Sequence, residues 1–159
     1  MIRASLALLL LAVLSFSATA QPTVFITRHA EKAESGGNDP DLSETGRTRA
    51  ELLARTLKDA NITAIYATEF KRTQQTAAPI ARALGVPATI VPATATPSLV
   101  EKFKAISGNV LVVGHGNTIP NLIKALGLTE TINLTENDYD NLFVVLPGNP
   151  PSLIRLHLP

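Results

Sequence analysis

The chain has 159 residues, no Cys, no Trp, and nearly balanced charge, 14 Lys+Arg against 13 Asp+Glu. The missing cysteines exclude disulfides, thiolate catalysis and cysteine-based zinc sites. The balanced charge gives no sign of a nucleic-acid or membrane-surface protein, and with few aromatics the core must be Leu, Ile, Val and Ala.

Residues 1–20 read as a secretory signal peptide. Arg3 is their only charge, Leu6 to Leu14 is an unbroken apolar run, and Ala18 and Ala20 supply the small cleavage-site residues. The apolar run is short for a membrane span of ~20 residues, so cleavage is expected after Ala20 rather than anchoring. The expectation is an exported protein, periplasmic or secreted, with no membrane attachment after cleavage. Residues 21–159 then form a single domain carrying 13 charges of each sign. Nothing in them specifies an oligomeric state.

The domain opens with an apolar β-rich run, Thr23 to Thr27, that suits a buried strand and ends abruptly in Arg28 and His29. A polar loop from Glu31 to Pro40 follows. Ser43 is a suitable N-cap for a helix whose buried stripe is Ala50, Leu53, Ala54 and Leu57. The second strand, Ile62 to Ala67, ends in Thr68-Glu69. A helix from about Phe70 carries Thr73, Ala77, Ile80, Ala81 and Leu84 on one face and stops at Gly85. Pro79 inside it predicts a kink or two short helices. Thr89 to Val91 is a third, short strand.

Thr96-Pro97 reads as a helix start, with Leu99, Val100, Phe103 and Ile106 on one face and Gly108 as the stop. Val110 to Val113 is uniformly apolar, as a central parallel strand covered on both faces should be, and runs into Gly114-His115-Gly116-Asn117. Asn117 is placed to cap a helix with Ile119, Leu122, Ile123 and Leu126 on its buried face. A polar connector, Thr129 to Asp140, leads to a strand at Leu142 to Leu146, a Pro/Gly turn, and an edge strand at Leu153 to Leu158. This order predicts an α/β fold: a three-layer α/β/α arrangement with a mainly parallel sheet of about six strands and helices on both faces.

Open sheets of this kind keep ligands at the carboxyl ends of their strands. Arg28-His29 and His115 follow such ends, and Arg72 lies in the first turn of the helix after the second strand, so all should share one rim. Two guanidinium groups there make a forked phosphate site, helped by helix N-termini. One neutral histidine can attack phosphorus, its pKa lowered by the arginines, while the other hydrogen-bonds the equatorial oxygens. Gly114 and Gly116 let the backbone approach a ligand closely. The partner implied is a small phosphorylated substrate, not nucleic acid. Two arginines would repel a cation, so no metal is expected between His29 and His115.

Four blocks carry a resemblance: Thr27-Arg28-His29-Ala30-Glu31-Lys32, Leu42 to Ala50, Ile65 to Ala77, and Val113 to Asn117. Together, and in this order, they resemble the histidine phosphatase superfamily, the phosphoglycerate-mutase-like proteins. The resemblance implies that His29 is the phosphorylated nucleophile, that Arg28, Arg72 and His115 complete the phosphate pocket, and that phosphomonoesters are hydrolysed without metal or other cofactor.

Many members of that family carry a carboxylic acid in a long insertion between the blocks of Arg72 and His115. Here the only acidic residue between them is Glu101. It is the candidate proton donor, although the helical wheel turns it away from the apolar face. Without a strong acid, good leaving groups are favoured: acyl phosphates, phosphoramidates and phenolic esters. The missing insertion implies an open, shallow site in a compact branch of the family. In size the chain is similar to the family's phosphohistidine phosphatases, whose cytoplasmic signalling substrates do not suit an exported protein.

Glu31, Lys32 and Thr76 are positioned either to serve the site or to serve the fold, and His157 reads as an outward residue of the edge strand. Asn61-Ile62-Thr63 and Asn133-Leu134-Thr135 match a glycosylation pattern that arises often by chance. The alternative to an exported phosphatase is a non-catalytic binding protein for a phosphate ligand on the same fold.

Overall fold

The computed structural model describes residues 21–159. The signal peptide expected over residues 1–20 lies outside the described residues. The six strands are β1 (Val24–Arg28), β2 (Ile62–Thr68), β3 (Ala88–Val91), β4 (Asn109–Gly114), β5 (Asn141–Leu146) and β6 (Ser152–His157). They form one sheet in the order β3-β2-β4-β1-β5-β6. β1, β2, β3 and β4 run parallel, and only β5 is reversed, pairing antiparallel with β1 and with β6.

The helices are α1 (Glu44–Leu57), α2 (Lys71–Leu84), α3 (Leu99–Phe103) and α4 (Thr118–Ala125). Alternate residues of the central strands point to opposite faces, and each face is covered. Ile65, Leu111, Val113 and Leu142 pack with Leu53 and Leu57 of α1 and Ile80 of α2. Val24, Ile26, Val110, Val112 and Phe143 pack with Phe103 of α3 and with Ile119, Leu122 and Ile123 of α4. This is the three-layer α/β arrangement expected from the order of elements. Among the described residues no helix is long and apolar enough to cross a membrane.

Ser43 caps α1, its Oγ accepting from the Gly46 N–H at 3.0 Å. Gly46 is the position where a side chain is impossible, because a Cβ there would sit 2.1 Å from the Glu31 carbonyl oxygen. The start of α1 is therefore pressed against the loop that follows His29. Gly85 ends α2 in the left-handed region, φ 66°.

Three local expectations are corrected. α2 runs as one helix through Pro79 rather than as two short ones, since Ile80 and Ala77 on the same stretch are fully buried and hold it against the sheet. The helix expected from Thr96-Pro97 to Gly108 is a 3-10 segment, Ala93–Ser98, followed by the five-residue α3. Thr96 does not act as its cap, because its hydroxyl donates back to the Ala93 carbonyl at 2.8 Å. The start is set instead by Glu69, whose Oε2 accepts from the Ala93 N–H at 2.7 Å. Asn117 makes no side-chain cap for α4, and Thr118 Oγ1 accepts from the His115 N–H at 2.8 Å.

Candidate active site

β1 and β4 are neighbours in register, with Arg28 opposite Gly114. The His29 N–H continues the ladder by donating to the Gly114 carbonyl at 2.9 Å. Two strands that end together thus deliver His29 and His115 side by side, their rings edge to face with centroids 5.3 Å apart. β2, on the far side of β4, ends at Thr68, one residue past the Ala67–Val113 pair, and hands the chain to α2, whose first turn carries Arg72. Arg28, His29, Arg72 and His115 line one cleft of about 740 Å³, together with Lys32, Glu69, Phe70, Gly116 and the segment Leu134 to Glu136.

His29 is 3% exposed. Its Nδ1 lies 2.8 Å from the Ala30 carbonyl oxygen. A carbonyl only accepts, so Nδ1 carries the ring proton and Nε2 holds the lone pair. Among the described residues, Arg28 Nε is the only buried side-chain nitrogen or oxygen without a hydrogen-bond partner. Nε2 of His29, which has none either, is therefore not sealed in the protein but open to the cleft. The imidazole is held neutral: burial first, then Arg28, His115 and Arg72, lower its pKa from 6.5 to about 3 against the opposing bond to Ala30. The arginines were expected to be the cause, but desolvation is the larger effect. Thr76 supports this turn from α2, its Oγ1 accepting from the Ala30 N–H and donating to the Arg72 carbonyl.

His115 is likewise held neutral. Burial and then Arg72 lower its pKa to about 4, Glu69 opposing and Arg28 adding to the effect. Its Nε2 is 2.7 Å from Thr68 Oγ1, and its Nδ1 has no protein partner and is open to the cleft.

The two guanidinium groups are held from behind. Arg28 lies over Tyr139, with Cζ 4.5 Å from the ring centroid. Its Nη1 donates to the Thr135 carbonyl at 2.7 Å, and Nη2 pairs with Glu136 at 3.3 Å. Arg72 lies over Phe70, 4.4 Å from the ring centroid, with Asp39 3.8 Å from Nη1.

Glu101 is not brought to this cleft. It sits exposed on α3, with its carboxylate 2.7 Å from Lys104 Nζ. As a proton donor it is corrected: the short helix α3 points it into solvent, as its place on the helical wheel required. Glu31 also serves the fold, holding Arg49 of α1 through bonds of 2.8 to 3.0 Å. His157 is exposed and pairs with Asp140 at 2.9 Å.

Sequence reasoning missed Tyr139, Thr68, Glu69, Phe70 and Glu136. Thr68-Glu69 carried a signal, being polar at a strand's carboxyl end. Tyr139 and Glu136 lie in a polar connector whose residues have no periodicity to read.

The profile of the histidine phosphatase superfamily, branch 1, matches residues 24–104, half of the chain. The chain belongs to this superfamily. The matched stretch holds Arg28, His29 and Arg72 and ends before His115, which the fold supplies. No curated protein matches the chain in sequence. Among solved structures, the fold is similar to that of SixA from Agrobacterium tumefaciens, described as a phosphohistidine phosphatase, with a TM-score of 0.64 at 22% identity over 85% of this chain and 97% of that one. It is similar to mycobacterial glucosyl-3-phosphoglycerate phosphatase Rv2419c bound to inorganic phosphate, with a TM-score of 0.64 at 16% identity over 86% and 96% of the two chains. Phosphoserine phosphatase from Entamoeba histolytica gives a TM-score of 0.63 at 14% identity over 87% and 98%.

Proposed function

We propose that this family member is a metal-independent phosphatase that hydrolyses phosphomonoesters, or phosphoramidate and acyl-phosphate substrates, through a phosphohistidine on His29. The observation that carries the reading is the state of His29. Its proton is committed to the Ala30 carbonyl, and its bare Nε2 opens onto a cleft walled by two guanidinium groups. A lone pair held neutral beside two fixed cations suits attack on an anionic phosphoryl group.

Arg28 and Arg72 bind the phosphoryl oxygens and take up charge as the bond to the leaving group lengthens. Attack by Nε2 gives phosphorylated His29 and releases the leaving group, and water then returns His29 and phosphate. The two carboxylates at the cleft, Glu69 and Glu136, are both engaged as hydrogen-bond acceptors, from Ala93 and Arg28. With both carboxylates that line the cleft among the described residues so engaged, substrates with good leaving groups are favoured. The leader-like residues 1–20 support export, with cleavage after Ala20, and N-terminal sequencing of the protein recovered outside the cytoplasm tests that point.

The deciding experiment follows aryl phosphate hydrolysis by residues 21–159 in the presence of a chelator, beside His29→Ala. Turnover that resists the chelator and vanishes in His29→Ala supports the reading. Turnover unchanged in His29→Ala overturns it. No turnover in either protein, with inorganic phosphate still raising the melting temperature, establishes instead a binding protein for phosphate ligands.

A further inference from the structure

Behind His115 lie two buried threonine hydroxyls whose protons can be placed by counting. Thr73 Oγ1 is 2.7 Å from the Phe70 carbonyl, 3.0 Å from the Thr68 carbonyl and 3.0 Å from Thr68 Oγ1. The two carbonyls can only accept, so the single Thr73 proton goes to one of them, and toward Thr68 the Thr73 oxygen accepts. The Thr68 proton is thereby spent on Thr73. Toward His115 Nε2, at 2.7 Å, the Thr68 oxygen is left as an acceptor. The arrangement that makes both the Thr73–Thr68 and the Thr68–His115 contacts hydrogen bonds puts the ring proton on Nε2. Were Thr68 to donate to Nε2 instead, Thr73 would either leave its 3.0 Å contact with Thr68 unbonded or turn its lone pairs toward both carbonyls, in a place without water to relieve them. Thr68 and Thr73 are 1% and 0% exposed.

A neutral histidine protonated on Nε2 has a bare Nδ1, and here Nδ1 is the nitrogen open to the cleft. The groups around it are Arg72 from α2, Arg28 and His29 from the end of β1, and Glu69 from the end of β2, with Lys32 and Glu136 lining the same cleft. A fully ionised phosphoryl group would set an oxygen lone pair against the lone pair of Nδ1. One proton between them turns that contact into a hydrogen bond.

Resting on the phosphatase reading, we propose that Thr73 and Thr68 are positioning residues that fix the His115 tautomer, so that the site takes its phosphate ligand with one proton shared between a phosphoryl oxygen and Nδ1 of His115. His115 then receives a proton from the substrate where a donor would have been assumed. In the transfer step the bond from His29 Nε2 to phosphorus forms. The bond to the leaving oxygen breaks with its electron pair staying on that oxygen. The phosphoryl proton passes to Nδ1, and the leaving group departs as its oxyanion and equilibrates with water.

The test uses residues 21–159 and phenylphosphonate, whose dianion, unlike that of inorganic phosphate, keeps no proton. Two-bond nitrogen–proton NMR correlations of the unliganded protein at pH 7 should show His115 Nε2 protonated and Nδ1 bare. The phenylphosphonate Kd, by calorimetry, should rise about tenfold per pH unit above the second ionisation of the phosphonate, since one proton accompanies the ligand. Thr73→Val releases the Thr68 proton to His115 Nε2, moves the ring proton to Nδ1 and should flatten that dependence, whereas Thr73→Ser keeps the hydroxyl and should retain the slope. A protonated Nδ1 in the unaltered chain, or a Kd that does not change with pH, overturns the proposal even if Thr73→Val fails to fold. These readings involve no turnover, so they fail or succeed separately from the His29→Ala experiment.

Discussion

Tyr139 forms the floor beneath Arg28: the guanidinium carbon lies 4.5 Å from the Tyr139 ring centroid, and the same ring stands 5.9 Å from the ring of His29. One aromatic side chain from the connector before β5 thus backs both a phosphate-binding cation and the nucleophile. The stack restrains a planar cation that must hold its fork toward the cleft. Tyr139→Leu is expected to raise KM for an aryl phosphate about tenfold, the equivalent of roughly 1.4 kcal/mol for a desolvated cation–π contact. Tyr139→Phe should stay within about threefold, because the ring face is kept. Steady-state kinetics of the two variants separates stacking from any role of the phenol.

Arg72 approaches from the first turn of α2 and is braced on the Phe70 ring. Lys in its place keeps the charge but loses the fork and the stack. Arg72→Lys is expected to lower kcat/KM about 100-fold, close to 2.7 kcal/mol of lost transition-state stabilisation. A fall of less than about threefold would mean that charge alone is sufficient there.

The acids should divide by position. Glu101 is tied to Lys104 on the outside of α3, and Glu101→Gln is expected to leave kcat/KM within about twofold of the parent. Glu136 occupies Arg28 from the edge of the cleft with its own side chain 85% exposed. Replacing it by Gln removes a competitor for the cation. Inorganic phosphate should then bind about two- to fivefold more tightly, the modest size expected of an exposed ion pair. Steady-state kinetics of Glu101→Gln and calorimetric titration of the Glu136 variant with inorganic phosphate check the two outcomes.

The buried histidines impose an acid limit. Their folded pKa values, about 3 for His29 and about 4 for His115, lie below the unfolded value of 6.5. The unfolded chain therefore binds protons first as pH falls. Stability from the neutral rings is present above pH 6.5 and is lost on acidification toward the folded values. Between pH 6.5 and 5 each ring is expected to cost roughly 2 kcal/mol. Urea unfolding at the two pH values should show that His115→Gln loses about 2 kcal/mol less than the parent chain over that interval.

Gly46 tests how the loop after His29 is held. A methyl group there meets the Glu31 carbonyl at 2.1 Å, a backbone atom that cannot swing aside. Gly46→Ala is expected to destabilise the domain by roughly 3 kcal/mol, the upper range for overpacking. Bound phosphate should recover little of it if the loop has been displaced from His29. Thermal unfolding with and without phosphate is the measurement.

Much of this molecule was legible in the order of its residues. Runs such as Val110 to Val113 leave no polar face, so they had to be central strands, and the β-α alternation then required the strand ends to share a rim. A cation and an imidazole placed after two such strands, and an arginine after a third, determined which residues would meet. Short-range chemistry was legible too, as in the Ser43 cap and the Gly85 stop. The Thr96-Pro97 helix start misled because a distant carboxylate, Glu69, binds the Ala93 N–H and winds the segment into a 3-10 turn.

What only the tertiary structure decided depends on contacts between residues far apart in the chain. Tyr139 lies 111 positions from Arg28 and Thr68 lies 47 from His115, and neither partner has a local pattern that announces the other. The protonation of each histidine is of this kind. Composition permits either ring nitrogen to carry the proton, and the choice is made by the Ala30 carbonyl for His29 and by the two threonine hydroxyls for His115. Residue order determined that these two imidazoles would stand together. Burial and hydrogen bonding, which exist only once the sheet has closed around them, decided which atoms they present to a phosphate.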